Sequence, residues 1–335
     1  MTPVVVRYPG RACLLGEHCD WAGGSSLTVP LPMGIEIRAE NNRHGIAIHS
    51  ELDGELLEAE WDIGAPKGQG PLRFVPAAAQ QLLEAGIELV PTRLWVQSDL
   101  PAGRGFSSSA AFTLAVLDSL ARAAGHEIPT TDLVEHAYQV ERIRLGINCG
   151  RLDQAACAAG QPLFIRWNQT ANGDFKMQPR RVNTLSTLHL VVAAFDKPRD
   201  TQRILKTLSI HHKGPITDPD GDAVREAISV FASMAEQAAH ALTNGDQMAL
   251  GRAMNTAQSV YEHNLSDRFS STRAPHLIQV CAGLRKQGAV GAKFSGAGGD
   301  GSVIALFPDA HSASEAQIWL KESGLEAWPV PVSNA

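Results

Sequence analysis

Cysteine is scarce and scattered: Cys13, Cys19, Cys149, Cys157 and Cys281 are the only five in 335 residues, and no Cys-x-x-Cys pair occurs. An odd, dispersed set excludes a disulfide framework and a zinc ribbon, and reduced thiols are the simplest reading. Joining His18, Cys19, Cys149 and Cys157 into a metal site fits no recurrent zinc spacing. Excess positive charge is missing too. Lys and Arg total 29 against 35 for Asp and Glu, a formal net charge of -6, and no long basic run could neutralise a phosphate backbone. Nucleic acid is therefore not an expected partner. Apolar runs such as residues 188–195 (LHLVVAAF) fall far short of the roughly 20 residues of a spanning helix, so no membrane span is expected. The opening MTPVVVRYPGR lacks a basic segment leading into an apolar core and cleavage site, which predicts a cytoplasmic protein.

What is present is enough apolar material for a large core: 44% hydrophobic residues against 19% charged. At roughly 150 residues per domain the length predicts about two domains. Residues 4–8 and 12–15 read as two strands around a tight connection at Pro9-Gly10, and residues 35–39, 45–49 and 93–98 alternate as strands of a mostly antiparallel sheet, the first two across Asn41-Asn42. A Gly- and Pro-rich loop spans 64–76, before a helix over 77–85. Residues 107–125 form the clearest helix pattern, with serines able to cap its start, and a second helix is expected over 133–145, with a short third after Asp153. A strand (LFIRW) and a polar, weakly patterned section over 168–187 lead to the strand at 188–195. Helices over 223–242, 247–262 and 275–286 follow, then strands over 289–294 and 302–307 and a last helix and strand. The alternation predicts an α+β protein of two lobes, residues 1–185 and 186–335.

Three segments carry chemistry. In LPAGRGFSSSAA (100–111) a glycine-rich turn precedes a helix start, where backbone amides and the helix dipole attract an anion such as a phosphate. No Lys follows the last glycine, so it is not a Walker loop, and an ordinary capped helix after a tight turn is the competing reading. In PGRACLLGEHCD (9–20), Arg11, Glu17, His18 and Asp20 crowd one irregular stretch. Carboxylates and an imidazole on a loop can hydrogen-bond several substrate hydroxyls at once, although charged loop residues are also commonly just solvated. In GAKFSGAGGDG (291–301) glycine density calls either for close approach to a ligand or chain segment, or for a flexible hairpin.

Taken together, in this order, the segments resemble the GHMP kinases, the family that includes galactokinase, homoserine kinase, mevalonate kinase and phosphomevalonate kinase. PGRACLLGEHCDWAGG resembles the galactokinase signature, LPAGRGFSSSAA the family's phosphate-binding motif and GAKFSGAGGDG its third motif. Glu141 with CGRLDQ (149–154) resembles the galactokinase segment in which an acidic metal ligand is followed by Cys-Gly-x-x-Asp-Gln. The resemblance runs from residue 9 to 301 and is nearest to galactokinase-type sugar kinases.

It implies a two-domain fold, an N-terminal ATP-binding lobe like ribosomal protein S5 domain 2 and a ferredoxin-like C-terminal lobe, with substrate in the cleft between. It also implies ATP and Mg²⁺ as cofactors and a small sugar or polyol as substrate, in a monomer or homodimer. By the same resemblance Gly103, Gly105, Ser107, Ser108 and Ser109 would cradle the nucleotide phosphates, with Gly296 and Gly298 adding to that site. Ser109 and Glu141 would hold Mg²⁺. Glu17, His18 and Asp20 would bind sugar hydroxyls, with Gly150 close to the ring. Asp153 would act on the attacking hydroxyl with Arg11 beside it, either as a base or as an electrostatic guide, and could also cap the short helix after it. The implied reaction is transfer of the γ-phosphoryl group to a sugar hydroxyl, the anomeric one, with galactose as leading candidate. Two departures bear on the acceptor. Trp21-Ala22-Gly23-Gly24 replaces the Tyr and Asn-rich continuation of the galactokinase signature, and SGAGGDG reads more like the mevalonate and phosphomevalonate branches. A non-sugar kinase of the same family, acting on mevalonate or a related alcohol, and a catalytically silent sugar and ATP sensor are the alternatives. Trp21 could stack on a sugar ring or pack under its loop.

Overall fold

In the computed structural model, which describes residues 3–52, 55–64, 68–173, 175–195 and 200–333, the chain forms two units from discontinuous pieces. The first comprises Met1–Arg11 and Leu31–Gly160, the second Ala12–Pro30 and Gln161–Ala335. The elements begin β1 (Val4–Leu15), α1 (Cys19–Ala22), β2 (Gly24–Asn41), β3 (Ile46–Leu52), β4 (Glu55–Trp61), α2 (Phe74–Glu84) and β5 (Thr92–Ser98). Next come α3 (Ser108–Ala123), α4 (Thr130–Tyr138), α5 (Leu152–Ala159), β6 (Leu163–Gln169), β7 (Phe175–Arg181) and β8 (Leu188–Ala194). The chain ends with α6 (Thr201–Lys213), α7 (Pro219–Asn244), α8 (Gln247–Val260), α9 (Pro275–Lys286), β9 (Gly291–Ser295), β10 (Ser302–Phe307), α10 (Ala310–Glu322) and β11 (Glu326–Val332). The break expected near 185 falls inside the second unit, between β7 and β8.

The two strands expected around Pro9-Gly10 are one continuous β1. Gly10 serves close packing instead of a turn: a Cβ there would lie 2.5 Å from Leu100 Cδ1 and 2.7 Å from the Phe106 carbonyl oxygen. In the first unit the later part of β2 pairs antiparallel with β5, β5 pairs parallel with β3, and β3 pairs antiparallel with β4. The strands flanking Asn41-Asn42 are thus separated by β5, because Asn42 donates its amide to the Pro91 carbonyl at 3.0 Å and carries the chain past β5. β4 was not expected from the sequence. Of the Gly- and Pro-rich loop, residues 65–67 lie outside the described residues.

α3 is buried on nearly every side, its run of Ala and Leu allowing close packing all round, and its one buried acid, Asp118, accepts from Tyr8 and Arg122 at 2.9 and 2.7 Å. The helix expected over 133–145 is α4 followed by a π-helical turn, Gln139–Arg144, closed by a Leu145 to Val140 backbone bond of 3.0 Å.

In the second unit β6 pairs with the first residues of β2 and with β7, a strand inside the section that reads as unpatterned. A separate antiparallel sheet has the order β11-β8-β10-β9, with the apolar β8 and β10 in its centre. α6 was also missed from sequence. Among the described residues none of the five cysteines is in a disulfide, and burial pushes the thiols of Cys19 and Cys157 upward, as expected of inert core cysteines. Among those residues, no helix is long and apolar enough to cross a membrane.

Candidate active site

Only two non-glycine residues among those described have positive φ, His18 (+69°) and Ser107 (+63°), and each sits in a segment singled out for chemistry. Left-handed backbone at such residues costs of order 1–3 kcal/mol and collects at functional sites. Ser107 occupies the N-cap position of α3, but its side chain makes no capping bond, contrary to the expectation that serine caps this helix. A capping hydroxyl works from extended backbone, and the left-handed turn aims Oγ elsewhere. Ser107 Oγ is buried with no partner among the described residues. The first amides of α3 lack that side-chain cap, in keeping with an anion site.

In the first unit two hydrogen-bonded groups of motif residues meet at the adjacent Asp153 and Gln154. Arg11, buried, donates Nη1 to the Gly105 carbonyl at 2.9 Å and its backbone amide to the Phe106 carbonyl at 3.1 Å. Its Nε donates to Asp153 Oδ1 at 2.9 Å, and Nη2 contacts the same oxygen. Asp153 lies in the first turn of α5, with Arg151 at the N-cap, so it is not the helix cap. The next residue, Gln154, donates Nε2 to Glu141 Oε1 at 3.0 Å, and Ser109 Oγ donates to Glu141 Oε2 at 3.1 Å. Glu141 reaches this position from the π-helical turn, whose wider winding turns a charged side chain into the interior. Gly103 and Gly105 supply positive φ in the loop between, at +70° and +85°. Ser108 starts α3, and Gly150 lies three residues before Asp153.

Burial pushes the Glu141 carboxyl up to about 7, and the Asp153 charge adds to the rise, while the bonds from Gln154 and Ser109 oppose it. The folded state therefore holds this proton more tightly than the unfolded state, whose carboxyl titrates near 4.5. The stability gained from it in acid is lost as pH rises from about 4.5 to about 7. Thermal melts without divalent metal should show wild type losing Tm relative to Glu141→Gln across that window. Parallel curves for the two would show that Glu141 is not the group responsible.

In the second unit, Glu17, His18 and Asp20 lie on the tight link between β1 and β2. Gly16 (φ +86°) makes the link possible, because a Cβ there would lie 2.1 Å from the Ser25 carbonyl oxygen. Ser26 Oγ closes the turn on the Gly16 carbonyl at 2.7 Å. Glu17 is ion-paired with Lys293 of β9, both side chains almost fully buried. Lys293 Nζ also bonds the Phe294 carbonyl and lies 4.2 Å from the centre of that ring. Sequence reasoning missed Lys293; its signal was a charged residue in a strand whose neighbours are all core. Asp20 lies in the first turn of α1, and Trp21 is met edge-on by the His18 and His212 rings. Gly296 and Gly298 both have positive φ, and a Cβ on Gly298 would lie 2.7 Å from the Tyr261 ring, so packing alone accounts for glycine there.

The profile of the GHMP kinases N-terminal domain matches residues 73–161, that of the GHMP kinases C-terminal domain residues 238–321, and the galactokinase galactose-binding signature residues 1–39. The chain belongs to the GHMP kinase family. Similar proteins include a mevalonate kinase of Aeropyrum pernix, 28% identical over 302 residues and covering 90% of this chain and 87% of the relative. A galactokinase of Thermotoga petrophila is 26% identical over 319 residues, covering 90% and 88%. Among solved structures, Lactococcus lactis galactokinase complexed with galactose superposes with a TM-score of 0.80 at 21% identity, covering 100% of this chain and 94% of that one. Methanococcus jannaschii mevalonate kinase gives 0.77 at 17% identity, covering 99% of each. The two-domain α+β GHMP kinase fold is thereby established, and membership implies a phosphotransferase that uses ATP as donor and an alcohol group as acceptor.

Proposed function

We propose that this GHMP kinase transfers the γ-phosphoryl group of ATP to a hydroxyl of a small sugar, the anomeric one, with galactose as the first candidate. The observation that carries the reading is the Arg11 guanidinium joining the glycine-loop carbonyl of Gly105 to Asp153, with Glu141 and Ser109 linked to the same helix through Gln154. The galactose-binding signature over residues 1–39 supports the choice of acceptor.

The amides around Gly103, Gly105, Ser107 and Ser108, with the α3 dipole, take the phosphate charge. Ser109 Oγ and the Glu141 carboxylate, adjacent oxygen donors on a buried acid, suit Mg²⁺, a hard cation that takes oxygen ligands. Bound there, it would neutralise charge on the β and γ phosphates. Glu17, His18 and Asp20 bind acceptor hydroxyls, and Gly150 leaves room beside the ring. Asp153 takes the hydroxyl proton as the bond to phosphorus forms, and Arg11 holds its carboxylate in place.

ADP release measured over hexoses, pentoses, uronic acids, amino sugars and mevalonate tests this, with phosphorus NMR of the product locating the ester. Galactose should stimulate turnover and yield the 1-phosphate. Stimulation by mevalonate alone would replace this reading with the non-sugar alternative, which the similarity to Aeropyrum pernix mevalonate kinase favours. Nucleotide and sugar binding without ADP release would point to a silent sensor.

A further inference from the structure

Among the buried polar atoms of the second unit that lack a hydrogen-bond partner among the described residues are Glu17 Oε2, Trp21 Nε1 and His212 Nδ1. Trp21 and His212 share one neighbourhood, and Glu17 precedes His18 on the same loop as Trp21. The His18 and Trp21 rings meet edge-on with centroids 5.6 Å apart, and Trp21 and His212 meet the same way at 5.6 Å. The fold holds His212 there. α6 ends on His211-His212-Lys213, and Arg225 of α7 donates to the His211 and His212 carbonyls at 3.4 and 3.2 Å. The adjacent imidazole is engaged elsewhere, since His211 Nδ1 lies 3.1 Å from Asp218, which caps α7. Native interiors rarely leave polar atoms unpaired, and unpaired atoms on the touching Trp21 and His212 rings and on Glu17 of the same loop call for polar groups from a ligand.

We propose that His212 and Trp21 contact the acceptor and, with Glu17, select a polyhydroxylated ring over an alcohol bearing a carboxylate. The proposal rests on the sugar-kinase reading and narrows its substrate class. As a carboxylate, Glu17 accepts hydrogen bonds and donates none, so Oε2 needs a donor, which a hydroxyl supplies and a carboxylate does not. Indole N–H donates, and imidazole Nδ1 accepts or donates according to tautomer, so the set matches hydroxyls, which do both. Burial, helped by Arg225 and Lys213, lowers the His212 pKa, and a neutral ring offers a carboxylate no charge.

Steady-state kinetics on wild type, His212→Phe and His212→Asn over the same acceptor panel test this. His212→Phe keeps a ring against Trp21 and removes both nitrogens, whereas His212→Asn keeps a polar group near the position of Nδ1. We expect His212→Phe to raise acceptor KM about tenfold or more, with ATP KM unchanged, and His212→Asn to stay within about threefold. Acceptor KM for His212→Phe within about twofold of wild type would overturn the contact. Should His212→Phe fold poorly, His212→Asn compared with His212→Ala makes the same comparison. If mevalonate and no sugar drives wild-type turnover, the sugar-kinase reading fails and selection for a hydroxylated ring is overturned. A raised mevalonate KM in His212→Phe would then retain the contact, and an unchanged one would remove it. If nothing turns over, calorimetric titration of the panel decides: heat lost in His212→Phe supports the contact, and no heat in wild type overturns it.

Discussion

Asp153→Asn should lower kcat by about 10²–10⁴-fold, the range spanned by a positioned proton acceptor, while ATP KM moves little. The substitution preserves shape, and the Asn carbonyl oxygen can still accept from Arg11, so the Gly105 to Arg11 bond and the loop it holds should survive. What is lost is the negative charge that we propose faces the acceptor hydroxyl, opposite the guanidinium of Arg11, a residue that is 6% exposed. That loss costs about 1–3 kcal/mol of stability, readable as a modest drop in Tm. Single-turnover measurement of phosphoryl transfer separates the chemical step from product release. A kcat within about threefold of wild type would remove Asp153 from the reaction and leave the Arg11 contact a purely structural pair. Arg11→Lys makes the complementary test, because a single ammonium cannot reproduce the fork that spans Gly105 and Asp153.

Lys293→Met should destabilise the protein by about 3–5 kcal/mol, since removing one partner of a buried ion pair strands the other. The Lys293 side chain is 0% exposed and that of Glu17 1%, so each charge depends on the other for compensation. Such a loss is a large share of the roughly 5–15 kcal/mol that holds a typical domain together. Urea titration measures it, and the double variant Lys293→Met/Glu17→Gln should recover much of the loss by removing the stranded carboxylate. Losses that simply add would mean that the two side chains do not act as a pair. In the single variant, where the protein still folds, acceptor KM should rise as well if, as we propose, the Glu17 carboxylate that Lys293 orients receives the acceptor's hydroxyls.

The four motif segments, their order and the helix they introduce were legible in the sequence because glycine demand and adjacent polar residues are local signals. Gly103 and Gly105 have the positive φ expected of a ligand-hugging turn, and Glu141, Ser109, Asp153 and Arg11 fall within one unit. The errors were of a different kind. Pro9-Gly10 reads as a break, yet it lies inside a strand where Gly10 admits Leu100 and Phe106, two neighbours distant in sequence. β5 slips between β2 and β3 through a parallel pairing that no hairpin signal announces.

What the sequence determined by itself was the chemistry: which residue types stand next to one another, and at which glycine turns. Tertiary structure alone decided which of them touch. Lys293 meets Glu17 across 276 positions, Arg11 meets Asp153 across 142, and His212 meets Trp21 only through packing of α6. Such pairings depend on how strands and helices stack after chain entropy has been spent, and local periodicity carries no trace of partners that far along the chain.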